Sequence, residues 1–177
     1  VVHLAAIVPG ERIPPFELIC EVNYWATRLI VDLCPEKGVQ RFILVSSCGS
    51  YGINDASRLG KEDDPLNPTS AYAESKVKAE EYVLSCANED FCITVLRLAT
   101  VFGWSPRMSF NSMITAFVHD AFFERSIIVY GPSSWRPFVH VDDVVEALLH
   151  VLRVPKSSVS GQVFNVGSNS LNYRKIQ

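Results

Sequence analysis

In TSAYAESK, residues 69–76, Tyr72 and Lys76 stand four apart at what reads as the start of a helix. Residues four apart on a helix share a face. An ammonium on that face stabilises a phenolate, pulling a tyrosine below its usual pKa of about 10 and into a range useful for proton transfer. The same ammonium can hold a ligand hydroxyl. RFILVSS (41–47) reads as a strand ending in Ser46 and Ser47. A hydroxyl emerging there could hydrogen-bond the oxygen that the tyrosine protonates or deprotonates. The alternative is a helix-start tyrosine packed on a sheet, a solvated lysine and two turn serines. With six tyrosines in the chain such a spacing can arise by chance, so these residues alone leave both readings open.

Strands and helices alternate around them. VVHLAA (1–6) is a continuous apolar run, as expected of a strand covered on both faces. Apolar residues at 19, 22, 26, 29, 30 and 33 recur at helical spacing from Phe16 onward, with Gly38 a suitable stop. RFILVSS, CITVLRLA (92–99), IIVY (127–130) and QVFNV (162–166) read as strands. Residues 70–88, about 110–123 and 141–154 read as helices, the last with Asp142 as its cap. The pattern predicts an α/β protein, a Rossmann-like doubly wound parallel sheet with helices on both faces. In such sheets ligands sit outside the carboxyl ends of the strands, where Ser47 would lie. The Pro- and Asp-rich stretch 53–69 reads as a functional loop.

Composition narrows the classes. Of 177 residues, 48% are apolar, enough for a sizeable core in one domain. A net charge of −3 gives no electrostatic argument for nucleic acid or an anionic membrane. Five cysteines at 20, 34, 48, 86 and 92, without a C-x-x-C, fit reduced thiols in a cytoplasmic protein. No apolar run reaches the roughly 18 residues of a membrane span. The chain opens inside a strand-like run without methionine and stops where SNSLNYRKIQ opens towards a helix. Both ends suggest a piece of a longer protein, truncated at each end. His3 and His140 lie in apolar runs and read as core or edge histidines, so no metal site is expected. Glu62, Asp63 and Asp64 read as solvated loop charge, and nothing near Cys48 identifies a base for a catalytic thiol.

Eight landmarks then follow in order: VVHLAA, the Asn23 of EVNYWATRLI, RFILVSSCGSYG, NPTSAYAESK, LRLATVFG, IIVYG, WRPFVHVDD and GQVFNVG. In that order the chain resembles the extended short-chain dehydrogenase/reductase family, in its NAD-dependent epimerase/dehydratase group of UDP-glucose 4-epimerase-like enzymes. The resemblance implies Tyr72 as catalytic tyrosine, Lys76 as its partner and Ser47, rather than Ser46, as the catalytic hydroxyl. It implies NAD as cofactor, with NADP left open, and a nucleotide-sugar substrate. Leu4, Ala5, Ala6, Asn23 and Ala99 would lie on the cofactor side. Thr100, Asn111 and Arg136 would face substrate, the arginine as a planar fork for phosphate oxygens. Trp104 and Arg107 stand in the loop after TVFG. Residues 1–100 would carry the later part of the dinucleotide-binding unit, and 101–177 a small substrate-binding region with a returning strand and helix. Helices 16–35 and 70–88 would pair two copies into a homodimer.

The chain also departs from the family. Family 4,6-dehydratases carry Asp-Glu directly after the catalytic hydroxyl residue, where this chain has Cys48 and Gly49, so dehydration of that type is not expected. Thr100 replaces an asparagine common in the family. No G-x-x-G-x-x-G follows a first strand, so these residues alone should bind a dinucleotide poorly. The expected activity is therefore that of the whole protein, a 4-epimerase-like enzyme. A reductase using the same three residues is one alternative, and an inactive interaction module is another.

Overall fold

RFILVSS and CITVLRL form the central strands, buried along most of their length, and QVFNV lies beside them at the edge of the sheet. A computed structural model gives the fold, and residues 1–8, 14–52, 60–129, 135–168 and 172–174 are described, the last three as backbone only. Strands β1 (Val2–His3), β2 (Arg41–Ser47), β3 (Cys92–Leu98) and β6 (Gln162–Val166) make an all-parallel sheet in the order β1-β2-β3-β6. A second sheet pairs β4 (Thr100–Phe102) parallel to β5 (Trp135–His140), and β5 antiparallel to β7 (Asn172–Arg174).

Helices α1 (Phe16–Cys20) and α2 (Ala26–Leu33) run on either side of a π-helical turn, Glu21–Trp25. The others are α3 (Ala71–Ser85), α4 (Met113–Phe123) and α5 (Val141–Arg153). The period of two along the strands sorts the core. Phe42, Leu44, Ile93 and Val95 pack with Val31, Ala79 and Val83 from α2 and α3. Ile43, Cys92 and Leu96 point the other way, onto Val151 of α5 and Val159. Each fully buried side chain of this size contributes about 1.5–3 kcal/mol.

Several expectations need correction. VVHLAA is not a six-residue strand: only Val2 and His3 pair with β2, and Leu4 is 62% exposed. Asn23 explains the departure, for its Oδ1 accepts from the Ile7 N–H at 2.7 Å and its Nδ2 donates to the Ile7 carbonyl at 3.0 Å. The amide side chain thus stands in for a neighbouring strand and draws residues 4–8 out of the sheet. Ile127–Val129 of the expected IIVY strand pair with nothing in either sheet, and Tyr130 lies outside the described residues. The cap of α5 is His140, whose Nδ1 accepts from the Asp142 N–H at 3.3 Å, and Asp142 sits inside the first turn. The expected start of a helix near the chain's end is instead β7. Gly38 has φ +67° and closes the turn Pro35–Lys37 that follows α2, as a helix stop requires. Of the loop 53–69, residues 53–59 lie outside the described residues.

Candidate active site

Three of the four carboxyl ends of the parallel sheet carry residues singled out above: Leu4 to Ala6 after β1, Ser47 ending β2 and Ala99 after β3. Tyr72 and Lys76 stand in the first turns of α3, which packs on β2 and the turn after it and which Ser70 caps by accepting from the Ala73 N–H at 3.2 Å. Ser75 ties the two halves together. Its hydroxyl donates to the Tyr72 carbonyl at 2.7 Å and accepts from Asn23 Nδ2 at 3.1 Å. The relay Ile7–Asn23–Ser75–Tyr72 therefore fixes the segment after β1 against the start of α3. The placing of Asn23 in the middle of the π-helical turn agrees with the use of such turns at functional sites. Its three hydrogen bonds make it the holder of the 4–8 segment. Asn23→Leu should cost about 1–3 kcal/mol, the price of two orphaned backbone groups. Urea unfolding would read that loss, and amide exchange at Ile7 should accelerate with it.

The two serines of β2 have different surroundings. Ser46 is buried and its hydroxyl donates to Glu80. Ser47 is half-buried and its Oγ accepts from the Gly49 N–H at 3.1 Å, so its own proton has no acceptor among the described residues. Ser47 is thus the one with a hydroxyl to offer. Gly52, at the end of the next turn, has φ +69°, and a Cβ there would sit 1.9 Å from the Asn67 carbonyl oxygen. Only glycine lets the loop that leads to Tyr72 pass so close.

Lys76 is 2% exposed, and its ammonium has no hydrogen-bond acceptor among the described residues. Burial pushes it down to about 8, partly opposed by Glu80. The sequence reading expected Lys76 to pull Tyr72 down. Instead burial pushes the half-buried Tyr72 above its ordinary value, so the phenol is favoured and the residue stands ready as a proton donor. His3 lies near enough to feel Lys76: burial first and the lysine's charge second lower it. The Thr27 hydroxyl donates to the Asn23 carbonyl at 2.8 Å, so it can only accept from His3 at 2.9 Å, which puts the imidazole proton on Nε2.

The Lys76 shift has a direct consequence. An unfolded lysine keeps its proton up to about 10.5, whereas the folded one loses it from about 8. Between those values the unfolded chain binds more protons, so this residue's share of stability rises with pH. Below pH 8 the folded protein carries a buried ammonium at a cost. Lys76→Met should therefore be more stable than the wild type at pH 7, by up to about 3 kcal/mol. Thermal melts from pH 7 to 10.5 should show that gap closing.

Thr100, Asn111 and Arg136 come together around one cavity of about 350 Å³, with Ser112, Met113 and Phe138 completing its wall. Thr100 and Phe138 are paired neighbours across β4 and β5, which places the cavity directly after the carboxyl end of β3. Ala99, expected on the cofactor side, is buried. Its side chain packs with Val139 and Val144 in a core cluster, so the backbone is what it can present. Trp104 is 79% exposed and contributes to neither the cavity nor the core.

Sequence reasoning missed a polar network behind Lys76. Glu80 and Arg97 form a buried ion pair, with Arg97 Nε and Nη2 at 2.9 and 2.8 Å from Glu80 Oε2. Arg97 Nη1 donates to the Tyr51 hydroxyl at 2.8 Å and the Glu62 carbonyl at 3.0 Å, and Tyr51 donates to Asn165 Oδ1 at 2.7 Å. Glu62, expected as solvated charge, accepts from the Asn165 N–H at 2.8 Å. Two signals were present: an arginine inside the apolar run CITVLRLA, and a glutamate one helical turn after Lys76. All five cysteines are free; among the described residues no acid or imidazole cluster could hold a metal, and no helix is long and apolar enough to cross a membrane.

The model of the NAD dependent epimerase/dehydratase family matches residues 1–167. The human dTDP-D-glucose 4,6-dehydratase is 32% identical over 84% of this chain and 41% of its own length. UDP-glucose 4-epimerase of Mycolicibacterium smegmatis is 33% identical over 94% of this chain and 53% of its own. The chain thus spans about half the length of the curated relatives it matches. Among solved structures, MoeE5 in complex with UDP-glucuronic acid and NAD superposes with a TM-score of 0.82 at 32% identity, over 94% of this chain and 56% of that one.

Proposed function

The chain belongs to the NAD-dependent epimerase/dehydratase family, and on that footing we propose that the whole protein is a nucleotide-sugar epimerase of the 4-epimerase type that uses NAD. The observation that carries this reading is the chemistry of the two residues after Ser47. A 4,6-dehydratase of this family needs an acid and a base there. Cys48 donates its thiol hydrogen to the Arg97 carbonyl at 3.2 Å, and burial pushes it up to about 11. Gly49 has no side chain. Neither can remove the elements of water, although the chain has similar relatives of both kinds.

The residues suit a dinucleotide. Leu4 and Ala5 are exposed at the end of β1, and the buried Lys76 ammonium lacks an acceptor among the described residues that a ribose hydroxyl would supply. When bound, NAD supplies a hydride acceptor and, in its reduced form, a donor. Tyr72 as phenolate takes the proton of a sugar hydroxyl and as phenol gives it back. Ser47 donates its hydroxyl proton to the reacting oxygen and holds it in place. Lys76 stabilises the phenolate and holds the ribose. Arg136 and Asn111 grip the nucleotide diphosphate across the cavity they share with Thr100. Residues 1–100 then serve the cofactor and 101–177 the substrate, with NADP the less favoured cofactor.

One observation favours a second reading. Burial holds Tyr72 as phenol, the resting form for a reductase that protonates a carbonyl product. We also assign a homodimer through helices 16–35 and 70–88, because Leu18, Trp25, Leu29 and Leu33 leave an exposed apolar stripe opposite the buried Ile19, Asn23, Thr27 and Val31. Five free cysteines fit a cytoplasmic setting.

The test is to purify the whole protein without added cofactor, denature it, identify any released dinucleotide and assay a panel of nucleotide sugars. Retained NAD with interconversion of two sugars and no net cofactor turnover supports the epimerase. Stoichiometric consumption of NADH or NADPH makes it a reductase. Failure to hold or bind any dinucleotide removes both readings and leaves an interaction module.

A further inference from the structure

The helix face that carries Tyr72 and Lys76 continues for one more turn to Glu80. Lys76 and Glu80 are 2% and 1% exposed, so water screens little between them. The carboxylate is held at both oxygens. Oε1 accepts from the Ser46 hydroxyl, and Oε2 accepts from Nε and Nη2 of Arg97 at 2.9 and 2.8 Å. Arg97 cannot swing away, since its Nη1 is fixed by the Tyr51 hydroxyl and the Glu62 carbonyl.

The other groups around this face add no negative charge. His3 from β1 is pushed towards its neutral form, Tyr72 is favoured as phenol, and Cys48 from the turn after β2 is held as a thiol. Tyr51 is likewise raised by burial, and Arg97 from β3 is a second cation. Of the groups packed about Lys76, Glu80 supplies the negative charge.

We propose that Glu80 is a positioning residue for the active site: clamped by Ser46 and Arg97, its carboxylate keeps the buried Lys76 ammonium charged one helical turn from Tyr72. The inference rests on the reading of Lys76 as the partner of Tyr72. It predicts a residue pattern of the site, Tyr72–Lys76–Glu80 at four-residue intervals, with the third member acting through the second.

The experiment follows the Cε carbon of Lys76 by NMR through a pH titration of the intact protein carrying labelled lysine, with Lys76→Met identifying the signal. Glu80→Gln should lower the titration midpoint by at least one unit, a tenfold or greater loss of proton affinity. Glu80→Gln combined with Arg97→Met removes both halves of the ion pair and leaves no lone buried charge, so it carries the test should the single variant fail to fold. Losing Arg97 removes a cation and can only raise the Lys76 midpoint. A fall in the double variant must therefore come from Glu80. A midpoint unchanged from the wild type in Glu80→Gln, or no lower in the double variant than in Arg97→Met alone, overturns the proposal and leaves Glu80 as a structural partner of Arg97. The titration reads Lys76 directly, so failure here differs from failure of the functional reading, which would show as absence of bound dinucleotide.

Discussion

Tyr72→Phe in the whole protein should lower kcat by about 10²–10⁴-fold, the span that a positioned proton carrier contributes. The ring stays and one hydroxyl goes. That hydroxyl has no hydrogen-bond partner among the described residues and burial disfavours its ionised form, so its removal should leave the melting temperature unchanged or slightly higher. kcat and kcat/KM should fall together, because the proton is in flight only in the transition state. Dinucleotide binding should survive, since Lys76 and the segment after β1 are untouched. The pairing of lost turnover with kept stability and cofactor is the diagnostic result. If the variant keeps turnover within tenfold of the wild type, Tyr72 is not the proton carrier. If turnover and melting temperature fall together, the tyrosine is a packing residue, the reading that the spacing alone left open.

What the sequence disclosed follows from how each element is stabilised. RFILVSS and CITVLRL were legible because both are buried along most of their length, so the apolar run itself is the signal, and QVFNV pairs beside CITVLRL as a partly exposed edge strand. VVHLAA misled because its end is settled by Asn23, a side chain 16 residues beyond the Ile7 whose backbone it captures. Local pattern cannot reveal such a partner. IIVY has strand composition and yet no ladder, since composition does not supply a neighbouring strand. The cap of α5 was misplaced by two residues because His140 does with a ring nitrogen what Asp142 would do with a carboxylate. Spacing singled out Tyr72 and Lys76 and the strand's end singled out Ser46 and Ser47, with a packing role left open, and only the resemblance chose Ser47. Thr100, Asn111 and Arg136 were not legible in that way, being 11 and 36 residues from the first to the others, and only resemblance grouped them before the fold placed them around one cavity. Glu80 and Arg97 were visible as oddities, but a charge in an apolar run does not announce its partner.

Arg97→Met should cost about 3–5 kcal/mol, as expected when one partner of a buried ion pair is removed. Arg97 is 5% exposed and Glu80 1%, so neither end can turn to water for compensation. Without the guanidinium the Glu80 carboxylate keeps only the Ser46 hydroxyl, and the Tyr51 hydroxyl and Glu62 carbonyl lose a donor at once. Glu80→Gln should also destabilise, because it leaves Arg97 as the buried charge. The combination of the two should recover most of the loss, since a neutral amide and a thioether bury no net charge, and such replacements are often near neutral. Urea unfolding at pH 7 would give all three values, and a coupling energy of about 2 kcal/mol or more is expected. Strictly additive losses would mean that the two residues stabilise the fold separately, through Ser46 on one side and the Tyr51–Asn165 contacts on the other. Recovery in the double variant would locate the cost in unpaired charge.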